Sequence, residues 1–88
     1  MDRELTSEEA EFFEKFRTVL PPVIARKEVI RFLGGIISPK TLANADSSGS
    51  GPAKTYTIGR TVAYCTDNLL KWLILTHGVK RLKHPKML

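Results

Sequence analysis

The sequence predicts a mainly α domain with a small β-hairpin, in which an added N-terminal helix precedes a helix-turn-helix. Three observations carry this expectation. Apolar residues recur at helical spacing near both ends of the chain: Phe12, Phe13, Phe16, Val19 and Leu20 in one segment, and Leu69, Leu70, Trp72, Leu73, Ile74 and Leu75 in the other. Between them, two short helical signals flank Gly34-Gly35, the order of a helix-turn-helix. A segment rich in Thr, Tyr, Val and Ile surrounds Gly59-Arg60, which has the Gly-first character of a tight hairpin turn. With 88 residues, the chain supports one core and excludes a large enzyme fold.

Each element has a local warrant. Thr6 followed three residues later by Glu9 is a capping box, and it opens an amphipathic helix over 7–19. Pro21 and Pro22 end that helix, because the first ring disfavours a helical Leu20 and neither proline has an N–H to donate. Lys27 to Leu33 places Val29, Ile30 and Leu33 on one face, and the glycine pair supplies the left-handed stop. Ser38 before Pro39 is an N-cap followed by a first-turn proline, which starts a second short helix running to about Asp46. Residues 47–52 are a loop by composition. Strands are expected over 54–58 and 61–65, and Thr66 or Asp67 caps the last helix, which Gly78 closes. Its continuous apolar surface calls for contacts on more than one side, with the N-terminal helix or with a second subunit. The organisation is thus an N-terminal amphipathic helix (1–22), a central domain (23–78) and a basic tail (79–88) expected to fray in the free protein.

Composition narrows the function classes. Residues 1–20 hold six acids against three bases, net −3, whereas residues 21–88 hold eleven bases against three acids, net +8. A body this basic attracts polyanions, nucleic acid first and an anionic membrane surface second; a solvated basic surface is the plain alternative. No run approaches a membrane span, and the acidic start lacks the pattern of a secretory signal. The single Cys65 cannot form an internal disulfide, which fits a reducing cytosol.

Catalysis and cofactors are not expected. His77 and His84 lie at or beyond the end of the last helix, and Cys65 has no basic neighbour in sequence to activate its thiol. His77 is expected to interact with the helix dipole. One Cys and two His seven residues apart match no common zinc spacing. Gly49 to Thr55 ends in Lys-Thr like a phosphate-binding loop, but it lacks the Gly before the Lys and leads into a strand.

The helix after Ser38 carries the sharper expectation. With Leu42 facing the core, a rotation of about 100° per residue puts Lys40, Asn44 and Ser47 opposite, with Thr41 on the flank. Lys40 suits a phosphate or a guanine edge, Asn44 an adenine, and Thr41 a phosphate or a thymine methyl. A solvated polar helix face is the alternative reading. Arg60 at the hairpin tip is a common turn residue, and beside a helix-turn-helix it becomes a candidate contact.

The ordered combination of Ser38-Pro39-Lys40-Thr41-Leu42-Ala43-Asn44, Gly49-Ser50-Gly51-Pro52 and Ile58-Gly59-Arg60, with Arg26-Lys27-Glu28-Val29, Leu33-Gly34-Gly35, Thr61-Val62-Ala63-Tyr64 and Asp67-Asn68-Leu69, resembles the small winged helix-turn-helix proteins of the MerR-like, excisionase and AlpA group. The resemblance covers about residues 24–75. It implies that the helix at 39–46 enters the DNA major groove, with Lys40, Thr41 and Asn44 at recognition positions. It also implies that the hairpin is a wing with Arg60 at its tip. Members of that group are bacterial or phage transcription regulators, or excisionases that bias an integrase toward excision. The chain departs from the pattern at Ala45 and Asp46, where an aromatic residue and a base are common, and at Cys65, often basic. Asp46 places a negative charge near phosphates, which weakens binding unless it turns away or caps something.

Together these readings predict sequence-specific binding of double-stranded DNA by Arg26, Lys27, Ser38, Lys40, Thr41, Asn44, Ser47, Lys54, Arg60 and Thr61. The expected assemblies are a homodimer or cooperative array on DNA, with an integrase or other protein as partner, no cofactor and no membrane. The alternative is a protein-interaction module that keeps the helix-turn-helix as scaffold and presents Phe12, Phe13 and Phe16 as a partner or dimer contact.

Overall fold

The capping box forms as the Thr-x-x-Glu spacing requires. The Glu9 N–H donates to the Thr6 hydroxyl and the Thr6 N–H donates to the Glu9 carboxylate, opening α1 (Ser7–Arg17). The helix stops before the prolines, with Thr18 as its C-cap. The computed structural model describes residues 3–82; residues 83–88, which include His84 and most of the expected basic tail, lie outside the described part.

After Pro22 the chain enters a short strand, β1 (Val23–Ala25), then a 3-10 turn (Arg26–Glu28) that runs into the single turn of α2 (Val29–Phe32). Gly34 and Gly35 follow with φ of 62° and 83°, values that favour glycine and turn the chain toward the next helix. Ser38 caps α3 (Pro39–Ser47), its hydroxyl accepting the Thr41 N–H at 3.1 Å. β2 (Thr55–Ile58) and β3 (Thr61–Cys65) flank Gly59, whose φ of 64° meets the Gly-first requirement of the turn. α4 (Thr66–His77) closes at Gly78.

The three strands form one antiparallel sheet in the order β1-β3-β2, with Ile24 opposite Tyr64 and Thr55 on the other side of Tyr64. Ile24, Val29, Leu33, Leu42, Tyr64 and the α4 residues Leu69, Leu70 and Leu73 meet in the core. α1 lies on α4, where Phe12 and Phe13 are half-buried against that core. A bidentate pair from Arg17 to Asp67, with bonds of 3.2 and 2.8 Å, fastens the two helices. Arg3 holds the buried Glu9 at 2.6 Å, and the Val79 N–H donates to the same carboxylate at 3.3 Å, so the segment leaving α4 returns to α1. These contacts hold Glu9 at about 2, well below the carboxylate range; the Arg3 hydrogen bond is the largest cause, followed by the Thr6 N–H.

The expected fold class is corrected. Among the described residues the fold is α+β, four α-helices with a three-stranded antiparallel sheet, and not a mainly α winged helix-turn-helix with an isolated hairpin. β1 joins the hairpin through residues about forty positions away, a pairing that no local pattern announces. The first helix of the expected pair is also only one α turn, of four residues. The α4 cap differs too: Cys65 occupies the N-cap position, while the Thr66 hydroxyl donates to the Pro21 carbonyl and Asp67 pairs with Arg17. No helix among the described residues is long and apolar enough to cross a membrane.

Candidate nucleic-acid interface

Leu42 is fully buried and is the only residue of α3 that is, so one apolar anchor sets which face of the helix looks outward. Lys40, Thr41, Asn44 and Ser47 are all exposed, as the 3.6-residue period dictates. α3 runs beside the hairpin from tip to base. Its first turn shares a cleft of about 340 Å³ with the hairpin tip, lined by Arg26, Lys27, Pro39, Arg60, Thr61 and Val62. Its last turn faces the strand base across a second cleft of about 400 Å³, lined by residues that include Asp46, Gly51, Thr55 and Thr57.

The structure therefore brings Lys27, Arg60 and Thr61 together at the first turn of α3. Lys54 stands apart, preceding β2 at the far end of the hairpin, roughly 13 Å along the strand from the tip. It is exposed and has φ of 57°, the one left-handed non-glycine conformation among the described residues. Ser38 serves the backbone, and its hydroxyl also hydrogen-bonds to that of Thr41 at 3.0 Å.

Electrostatics sharpen the contrast between committed and free charges. Glu28 pairs with Arg31 at 3.2 Å and Asp67 with Arg17 at 2.8 Å. Asp46 turns inward: the Arg26 guanidinium donates to its Oδ2 at 2.6 Å and the Tyr64 hydroxyl donates to the same oxygen at 2.7 Å. Arg26 Nε also donates to the Tyr64 oxygen at 3.0 Å, closing a three-residue cluster. Burial, and then the neighbouring Asp46, push the Tyr64 phenol up to about 12. The carboxylates of the 23–82 segment are thus all bound to arginines, whereas among the described residues Lys27, Lys40, Lys54 and Arg60 form no ion pair. The N-terminal end of the α3 dipole adds partial positive charge at the first cleft.

In the sequence, Arg26 is a candidate DNA contact and Asp46 a departure from the basic pattern. In the structure the two are partners, a pairing that no spacing announces because they are twenty residues apart with no periodic relation. Of the aromatic residues expected as a partner surface, Phe12 and Phe13 pack inward and Phe16 is 37% exposed, its ring 4.7 Å from that of Phe12. His77, the last residue of α4, meets Trp72 edge-on at 6.0 Å. Among the described residues no group of three His, Cys, Asp or Glu side chains is placed to hold a metal ion.

No family model matches the chain, and no curated protein and no solved structure is found to be similar to it.

Proposed function

We propose that this protein binds double-stranded DNA in a sequence-dependent way through α3 and the hairpin tip. The observation that supports this reading best is the division of charge. A nine-residue helix exposes Lys40, Thr41, Asn44 and Ser47 beside a cleft carrying Lys27 and Arg60, while the carboxylates nearby are bound to arginines. An α-helix with its side chains is about 10–12 Å across and fits the major groove, about 12 Å wide. Asn44 has the donor and acceptor pair that reads adenine, Lys40 suits guanine or phosphate, and Lys27, Arg60 and Thr61 suit the sugar-phosphate backbone.

A single module of this kind buries roughly 600–1,000 Å² on DNA, so useful affinity calls for a dimer or cooperative binding at repeated sites. The role that fits is regulatory or architectural, in transcription or in setting the direction of recombination, at the nucleoid and with a recombinase as protein partner in the latter case. Selection from a randomised duplex pool tests the reading. A consensus is expected to emerge, and Asn44→Ala is expected to relax it at one or two positions while binding persists. A pool that stays random after repeated rounds would overturn it.

A further inference from the structure

We infer that Asp46 and Tyr64 withhold Arg26 from DNA and use it to set the orientation of α3, so that Arg26 and Asp46 are positioning residues for sequence discrimination. This rests on the DNA-binding reading above. Leu42 alone is buried on α3, and one buried side chain fixes where a helix sits without fixing its rotation about that point. Asp46 lies one turn further on and supplies the second fixed point. Its Oδ2 receives both the Arg26 guanidinium and the fully buried Tyr64 hydroxyl, at 2.6 and 2.7 Å. The cluster joins three elements: Arg26 leads out of β1, Tyr64 is in the centre of the sheet and Asp46 is on α3.

The opposite side of the carboxylate is fitted as closely. A Cβ on Gly51 would stand 2.0 Å from Asp46 Oδ1 and 3.2 Å from its backbone nitrogen, so the loop after α3 accepts only glycine while Asp46 keeps this position. The direction in which Lys40, Asn44 and Ser47 point therefore follows from an ion pair behind them. The cluster also changes the charge that DNA meets. An exposed Asp46 would repel phosphate and a free Arg26 would attract it whatever the sequence; joined, they do neither. The chain thereby gives up affinity for DNA in general and gains a fixed reading face.

The test is a salt titration of Asp46→Asn and Arg26→Gln on the selected duplex and on a scrambled one, beside the wild-type chain. Circular dichroism identifies the variants that remain folded. Asp46→Asn frees Arg26, so the log–log salt slope is expected to steepen by about 0.9 and the scrambled duplex to bind more tightly. The ratio of selected to scrambled affinity is expected to fall about tenfold, the worth of roughly one misread base pair. Arg26→Gln is expected to lower the same ratio without making the slope shallower. A shallower slope for Arg26→Gln, by about 0.9, would show Arg26 on a phosphate and overturn the inference. Unchanged ratios in folded variants would also overturn it.

If Asp46→Asn does not fold, Tyr64→Phe, which keeps the ion pair, takes its place: a reduced ratio at an unchanged slope supports the inference and an unchanged ratio overturns it. A wild-type chain that binds no duplex overturns the DNA-binding reading itself. A wild-type chain that binds, with variants that match it, overturns only the positioning role.

Discussion

Three cations of α3 and the cleft at the hairpin tip, Lys27, Lys40 and Arg60, form no ion pair among the described residues, and that number sets how steeply salt should weaken DNA binding. Each phosphate neutralised on duplex DNA releases condensed counterions and contributes about −0.9 to the slope of log K against log salt. Three contacts give a slope of about −2.7, so raising salt from 50 to 200 mM should reduce affinity about 40-fold. Replacing Arg60 with Ala removes one contact, giving a slope of about −1.8 and a loss of about 12-fold over the same range. Lys15→Ala on α1 should leave the slope unchanged, because Lys15 lies beside Glu8 and Glu11 and away from the hairpin cleft. Fluorescence anisotropy of a labelled duplex at four salt concentrations measures all three slopes. A slope for Arg60→Ala equal to that of the wild-type chain would refute the placement of the hairpin tip on phosphate, and a shift for Lys15→Ala would move the footprint to α1.

Other expectations concern the scaffold. Glu9 is held at about 2 in the fold against an ordinary value of 4.5, so its contribution to stability is fully present above about pH 4.5 and is lost as pH falls toward 2. Thermal midpoints measured from pH 6 to 2 should therefore fall less steeply for Glu9→Gln than for the wild-type chain, and parallel curves would contradict the role given to Glu9. Tyr64 is shifted the other way, to about 12, so the neutral phenol favours the fold and stability should decline as pH rises from about 10 to 12. In Tyr64→Phe that alkaline decline should be smaller. Leu42→Ala empties the one fully buried position of α3 and should cost about 2–5 kcal/mol, read as a lower urea midpoint.

What could be read from the sequence follows the range of the interactions. Thr6 and Glu9 are three residues apart, Ser38 and Pro39 are adjacent, and Gly59 sits at its own turn; each element they specify forms at or within two residues of the expected position. The exposure of Lys40, Thr41, Asn44 and Ser47 likewise follows from helical periodicity about Leu42. The third strand was not legible, because Val23-Ile24-Ala25 is too short for an alternating pattern and its partner lies at 63–65. With this strand the hairpin becomes a sheet and the fold α+β rather than mainly α. The Arg26–Asp46–Tyr64 cluster was hidden for the same reason: three polar residues from three elements meet only once the sheet and α3 have packed. Asp46 therefore looked like an obstacle to DNA when read alone, and it is a bound carboxylate when read with its partners.

In the proposed complex, duplex DNA meets the outer face of α3 and the hairpin tip. Titrating 15N-labelled protein with the selected duplex and following backbone amide shifts tests this contact residue by residue. The amides of Lys40, Thr41, Asn44, Ser47, Arg60 and Thr61 are expected to move together and to return when salt is raised. Shifts confined to α1 and α4, or none at low salt, would contradict it.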